Sequence, residues 1–318
     1  MPKIPPRERY THREAASRVS LEAARAWAQC FFAIDSSTTL ARISGGYSNA
    51  NFAVTHKGEK LLLRVFPGGE AVAKREMAIL ALAARSGIKV PKAIDLVCDE
   101  KGAAGLQEFI HGDLLLNVLE SPDTDRRELF GELGGELARV HSIRFPKPGI
   151  FSPSGEVEAF YEGRDAGLDF LKRFLADLAG QRLGLELTRQ LLSLVEREWD
   201  VVRRSAIGPT LVHCDFNPKN ILVRGGEVAA VLDWEFAIAA DPLIDFGNFF
   251  RFVEDYSPWE RESLLDGYVR SGGSLPLDWR RAARLHDLVS MCAFLADPEE
   301  HPESFRTARA VIEETISD

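Results

Sequence analysis

The stretch Leu211 to Val223, LVHCDFNPKNILV, constrains the chain more than any other. Leu211 and Val212 lead into it, and Ile221, Leu222 and Val223 lead out. These apolar ends read as short buried strands, so the polar centre must be a loop held between them. Within it, His213, Asp215 and Asn220 follow the spacing H-x-D-x-x-x-x-N. The Asp215 carboxylate can take a proton from a hydroxyl. The Asn220 carboxamide offers an oxygen of the kind Mg²⁺ prefers. A tight loop ending in a strand can bring both to one pocket. The plain alternative is an acidic loop between two structural strands.

A second stretch, Val231-Leu232-Asp233-Trp234-Glu235-Phe236, is a strand-like apolar run that ends in an acid. Gly225-Gly226 lies between it and Asn220, and a Gly-Gly pair between apolar runs is a hairpin signal. The two stretches therefore read as strand, turn, strand, with Asn220 and Asp233 brought near each other.

HCDFNPKN followed by VLDWEFAIAADPLIDFGNF resembles the aminoglycoside phosphotransferase and choline kinase superfamily, which includes homoserine kinase-like enzymes. The resemblance implies an α+β, two-lobed protein-kinase-like fold. Its small antiparallel-sheet lobe is expected over residues 1–108 and its larger, mostly helical lobe over 109–318. It further implies transfer of the γ-phosphate of ATP (or GTP) to a hydroxyl of a small molecule. Asp215 is then the catalytic base, and Asn220 and Asp233 hold Mg²⁺. An acid placed like Asp245 braces the catalytic loop, with His213 as its natural partner. The Glu108 carbonyl and the Ile110 amide are the implied adenine contacts, and Gln107 is expected near the base edge. Aminoglycosides, homoserine, choline-like amino alcohols and sugars all remain open as acceptors. Three other readings stay open: a nucleotide-binding protein of this fold without activity, a structural or scaffold protein of this fold, and a protein kinase. Trp234-Glu235 stands where a protein kinase has Phe-Gly, which disfavours the last.

The N-terminal part supplies the remaining candidates. Ser44, Gly45 and Gly46 lie between two strand-like runs, where glycine lets backbone N–H groups approach phosphates. Arg64 stands in LLLRVF, the third strand, at the place of the phosphate-binding lysine in the kinase pattern. Arginine stays charged and contacts phosphate bidentately; an exposed edge-strand arginine is the alternative. A helix is expected from about Ala71 to Ser86, and it carries Glu76 as partner for Arg64. The alternative there is a solvated glutamate.

Composition narrows the partners. A net charge of −9 argues against nucleic acid, whose phosphates need clustered Lys and Arg. It is compatible with a cationic acceptor. Cys30, Cys98, Cys214 and Cys292 are scattered without C-x-x-C, which disfavours zinc and fits a reducing compartment. Cys214 is either a reactive thiol or a small residue filling a tight spot. The chain contains no apolar run of membrane-spanning length, roughly 18 residues. With no signal-like start, a cytoplasmic protein without membrane contact is expected.

Helices are expected over Leu21–Phe32, Asp125–Ile143, Glu156–Ala179 and Glu186–Arg204. His141 reads as an anchor of the catalytic loop or a cap. Glu158, Glu162, Asp165 and Asp169 recur near one face of the third of these helices, as an acidic cleft or a solvated surface.

Overall fold

Ala50, Phe52 and Val54 alternate inward along ANFAVTH, the period-2 signature of a half-buried strand. In the computed structural model, which describes residues 19–43, 49–100, 102–121, 125–159 and 165–318, this segment belongs to a five-stranded antiparallel sheet. Its strands are β1 (Thr39–Arg42), β2 (Ala50–His56), β3 (Glu59–Phe66), β4 (Ala93–Asp99) and β5 (Gly102–Glu108), in the order β1-β2-β3-β5-β4.

Each face of the sheet has its own cover. Helix α1 (Leu21–Ala28) packs Ala24, Trp27 and Ala28 against Phe52, Val54, Leu63 and Val65. Helix α2 (Glu70–Arg85) packs Ala73 against Phe66 and Ala103 on the other face. Because side chains alternate, Arg64 shares the face of Phe66 and looks toward α2. Gly105 lies opposite Arg64 in the β3–β5 ladder, and a Cβ there would stand 3.3 Å from Met77 Sδ. The missing side chain lets α2 come down onto the sheet beside Arg64.

Past Glu108 the chain becomes mainly helical. Strand β6 (Asp113–Leu114) and α3 (Leu115–Leu119) lead into α4 (Arg127–Ser142). The bundle continues with α5 (Ala166–Leu175), α6 (Leu178–Leu183) and α7 (Leu185–Ser205). It closes with α8 (Leu243–Phe249), α9 (Pro258–Arg270), α10 (Trp279–Leu295) and α11 (Pro302–Ser317). Ser257 and Glu260 form a capping box at the start of α9. The α4 and α9 backbones touch: a Cβ on Gly134 would lie 2.0 Å from the Leu264 carbonyl oxygen. One apolar core joins these helices to Ile79, Leu80 and Ala83 of α2.

Two small sheets carry the motif-bearing loops. The strands β7 (Gly149–Phe151), β8 (Val157–Glu158), β9 (Thr210–Val212) and β12 (Ile238–Ala240) pair in the order β8-β7-β12-β9. The strands β10 (Ile221–Arg224) and β11 (Glu227–Val231) form the expected hairpin, flanked by β6. Gly225 and Gly226 have φ of +64° and +86°, the left-handed pair that a two-residue turn between twisted strands requires.

One expected helix is corrected. Glu156–Ala179 is not continuous: β7 and β8 pair Ile150 with Glu158 and Phe151 with Val157. Among the described residues the helix that follows is Ala166–Leu175, and a non-helical conformation at Asp177 divides α5 from α6. Burial of Phe151 and pairing of β7 with β12 override local helix preference. The acidic stripe dissolves with that helix. Glu158 is on a strand, Glu162 lies outside the described residues, and Asp165 accepts two hydrogen bonds from Arg203, at 2.7 and 2.8 Å. The first helix is shorter than expected, ending at Ala28. Among the described residues no helix is long and apolar enough to cross a membrane.

Candidate active site

The site forms where the loops β9–β10 and β11–β12 face the inner surface of the five-stranded sheet. Asp215 is almost fully buried, so its carboxylate needs hydrogen-bond partners. Asn217 Nδ2 donates to Oδ1 at 2.6 Å and Asn220 Nδ2 donates to Oδ2 at 2.7 Å. Both carboxamides also reach the Asp215 carbonyl, at 3.1 and 2.9 Å. Lys219 Nζ lies 3.1 Å from Oδ2. The loop is kept tight by a 3₁₀ turn, Pro218–Asn220, which Asn217 caps by accepting from the Lys219 amide.

The two motifs are tied together through backbone. The Asn220 carbonyl accepts from the Leu232 amide at 2.7 Å, which fixes Asp233 one residue away. Asp233 itself has φ +63°, a left-handed conformation that non-glycine residues adopt at a cost. The kink aims its carboxylate at the sheet, where Arg64 Nη2 donates to Oδ1 at 2.5 Å. Arg64 Nε also lies 2.8 Å from Glu76 Oε1 of α2, so the expected Arg64–Glu76 pair is present. Arg64 is buried, not an exposed edge residue, and Glu76 is buried, not solvated.

One guanidinium thus serves the buried Glu76 and the half-buried Asp233, and they respond differently. Burial works against the charge of Arg64, but Glu76 and Asp233 outweigh it and hold its pKa above the ordinary value. Burial pushes Glu76 up to about 7, and Arg64 only partly offsets this. Asp233 goes the other way: burial would raise it, but Arg64 prevails and holds it below the usual carboxylate range.

Asp245 meets His213, its expected partner, through the backbone amide and not through the ring. Asp245 is fully buried at the start of α8 and accepts from the backbone amides of His213 (2.9 Å) and Cys214 (2.8 Å). Its side-chain partner is His141, whose Nε2 lies 3.1 Å away. Tyr268 completes the chain at His141 Nδ1, 3.0 Å. Burial, then Asp245, raises the Tyr268 pKa, so its hydroxyl stays protonated. His141 is thereby the loop anchor expected of it. The His213 ring turns the other way. Its Nδ1 accepts from the Asp215 amide at 3.2 Å, so the proton sits on Nε2, which donates to the Leu232 carbonyl at 2.8 Å. The buried Trp234 ring packs on it, centroids 4.6 Å apart. Short strands place the His213 backbone, not its ring, against α8.

The remaining candidates divide. Ser44, Gly45 and Gly46 lie outside the described residues. Glu108 closes β5, its amide donating to the Lys92 carbonyl at 2.9 Å, and Ile110 follows in the segment that leaves the sheet. Gln107 is buried against Met77, 3.8 Å from its sulfur. Cys214 has φ +63°, and burial, then Asp245 and Asp215, raise its thiol well above the ordinary value. It is held protonated and therefore unreactive.

Four contributors went unrecognised in the sequence. Asn217 and Lys219 lie inside the loop already singled out. Glu235 follows Asp233 by two residues and is buried. It accepts from Asn49 Nδ2 at 2.9 Å and lies 4.0 Å from Arg64 Nη2. Glu235 stands outside any strand, after the left-handed Asp233, so no side-chain period marked it. Asn49 carried no sign either, since its partner is 186 positions away.

A sheet-bearing N-terminal part, a helical remainder, and a buried guanidinium facing an Asp–Asn loop define a kinase-like phosphotransferase. The chain belongs to the phosphotransferase enzyme family, APH, whose profile matches residues 39–303. Solved structures share the fold. A thermostable form of aminoglycoside phosphotransferase APH(4)-Ia, in ternary complex with AMP-PNP and hygromycin B, superposes with a TM-score of 0.67 at 17% identity, covering 88% of this chain and 94% of that one. Macrolide 2'-phosphotransferase MphH from Brachybacterium faecium gives 0.63 at 20% identity, covering 92% and 97%. Among curated proteins, acyl-CoA dehydrogenase family member 10 of Mus musculus is 26% identical over 230 residues, 65% of this chain. Member 11 of Pongo abelii is 25% identical over 235 residues, 69% of this chain. The chain spans 20% and 28% of the lengths of these two proteins.

Proposed function

We propose that the protein transfers the γ-phosphate of ATP to a hydroxyl group of a small molecule, in a cleft between lobes 1–108 and 109–318. The observation that carries this reading is the Arg64–Asp233 contact, which joins the sheet to a loop already locked to Asn220. Asp215 orients the acceptor hydroxyl and takes its proton. Its two carboxamide partners keep its oxygens fixed, so little reorganisation is needed when the acceptor arrives. Asn220 and Asp233 hold Mg²⁺. The fit is good: Asn220 spends its amide group on Asp215, leaving Oδ1 for a cation, and Asp233 offers a carboxylate. Two protein oxygens are what a Mg²⁺ that keeps phosphate and water ligands needs. The ion would neutralise charge on the phosphate oxygens.

Arg64, steadied by Glu76, contacts the α- and β-phosphates, and Asp245 and His213 keep the loop in place. The Ser44-Gly45-Gly46 loop covers the phosphates, and the Glu108 carbonyl and Ile110 amide hold the base, with GTP as the other candidate donor. Unpaired Cys30, Cys98, Cys214 and Cys292 suit the reducing cytoplasm we assign to it.

The test is Mg²⁺-dependent ADP or GDP release against a panel of hydroxyl acceptors. The panel holds aminoglycosides, homoserine, choline, amino sugars and, because the curated relatives carry acyl-CoA dehydrogenase in their names, a hydroxyacyl-CoA. One acceptor is expected to raise turnover well above the acceptor-free rate, and Asp215→Asn is expected to abolish that turnover while retaining nucleotide. Equal losses of nucleotide affinity and turnover in Asp215→Asn would remove it from the base role. Failure to bind either nucleotide would refute the whole reading.

A further inference from the structure

The site holds more negative side-chain charge than Arg64 alone balances. Asp215, Glu235 and Glu76 are buried carboxylates and Asp233 is a half-buried one, and among the described residues Arg64 is the buried cation in contact with three of them. Arg64 is also committed, with Nε beside Glu76 and Nη2 on Asp233. Mg²⁺ on Asn220 and Asp233 would offset part of this charge; on the phosphotransfer reading the transferred phosphoryl group lies beside Asp215, where Lys219 is the cation in contact.

Lys219 answers this from the other side of the loop. Its Nζ lies 3.1 Å from Asp215 Oδ2, and its positive charge also bears on Asp233. The Asp215 carboxylate does not need it, since Asn217 and Asn220 already donate to both oxygens. Nor is the contact a strong staple: the lysine side chain is 38% exposed, and ion pairs of that kind contribute little stability. Its backbone, by contrast, is held firmly, because the amide donates to the Asn217 side chain that also clamps Asp215. A partly exposed ammonium on a firmly held backbone, one residue before Asn220, is placed to exchange Asp215 for an incoming anion.

We infer that Lys219 is a catalytic residue that contacts the transferred phosphoryl group; the inference rests on the phosphotransfer reading above. In the step, the acceptor oxygen bonds to the γ-phosphorus and the bond to the β–γ bridging oxygen breaks. That electron pair stays on the nucleoside diphosphate, and the hydroxyl proton passes to Asp215. Lys219 keeps its proton throughout and moves from Asp215 Oδ2 to the γ-phosphoryl oxygens, where charge is redistributed. Asp215 is thereby freed to accept the hydroxyl proton.

The experiment measures nucleotide turnover, with the best acceptor or with water, for the wild type, Lys219→Ala and Lys219→Arg. Affinities for Mg²⁺-ADP with and without aluminium fluoride are measured in parallel. For Lys219→Ala we expect kcat to fall about a hundredfold with the nucleotide KM and the urea midpoint unchanged. The tightening of Mg²⁺-ADP by aluminium fluoride should be lost, and added ethylammonium should restore part of kcat. Lys219→Arg should retain most of the turnover. Unchanged kcat in Lys219→Ala, or aluminium fluoride binding equal to wild type, overturns the role of Lys219 and leaves the phosphotransfer reading intact. Wild-type protein that binds no nucleotide overturns both.

Discussion

Glu76 should make the protein less stable as pH rises through the neutral range, and the sign follows from its surroundings. It is buried, and the Arg64 guanidinium beside it is shared with Asp233. Its folded carboxyl stands at about 7, above the ordinary 4.5, because burial outweighs Arg64. Between these values the native state binds more protons than the unfolded chain, so unfolding free energy falls with pH. The contribution is complete below pH 4.5 and gone above about 7. One pKa unit corresponds to about 1.4 kcal/mol, so the loss across this window is about 3 kcal/mol. Asp233 titrates below the usual carboxylate range and does not contribute there. Urea unfolding at pH 5, 6, 7 and 8, in EDTA, measures it. Glu76→Gln should flatten the slope, because the amide keeps the shape and has no proton to lose. A wild-type curve that rises from pH 5 to 7, or an equal slope in Glu76→Gln, would show that Arg64 dominates burial and refute the reasoning.

The other expectations concern the frame around the site. Asp245→Asn turns one acceptor into a donor facing a buried backbone amide, His213 or Cys214, and should cost about 2–3 kcal/mol by urea unfolding. Gly134→Ala forces α4 away from the Leu264 carbonyl and should cost about 2–3 kcal/mol, seen as a lower thermal midpoint. Cys214→Gly relieves a left-handed backbone and should raise unfolding free energy by about 1 kcal/mol, with nucleotide affinity unchanged. A lower midpoint for Cys214→Gly would mean that the packing of the thiol outweighs the strain.

Much of the candidate site was legible because its key parts are local. Asp215 and Asn220 lie five positions apart, so one loop between two apolar strands must hold them together. The Gly225-Gly226 turn determines that the next strand returns beside the first, which brings Asp233 back to Asn220 whatever the rest of the chain does. Arg64 and Glu76 were picked out by the kinase pattern, a cation on the third strand and an acid on the following helix, and the sequence left open whether either was exposed. The sequence also contained the period-2 pattern of β2 and the 3.6-residue pattern of α4, from which the division into a sheet-rich start and a helical remainder follows.

Tertiary structure decided which partner each polar group took. Asp245 takes His213 through its backbone amide and His141 through its ring, while the His213 ring reaches the Leu232 carbonyl. The hold on His141 depends on how α4 meets α9, where Gly134 lets the backbones touch beside Tyr268, and no local pattern records that. The Asn49–Glu235 contact closes over 186 positions, and Val157–Glu158 is strand, not helix, because it pairs with β7, which β12 holds from its other edge. Chain connectivity and side-chain periodicity act over a few residues and can be read directly. The partner of a buried charge is chosen by whichever desolvated donor the folded chain brings within about 3 Å, and only the packed molecule contains that information.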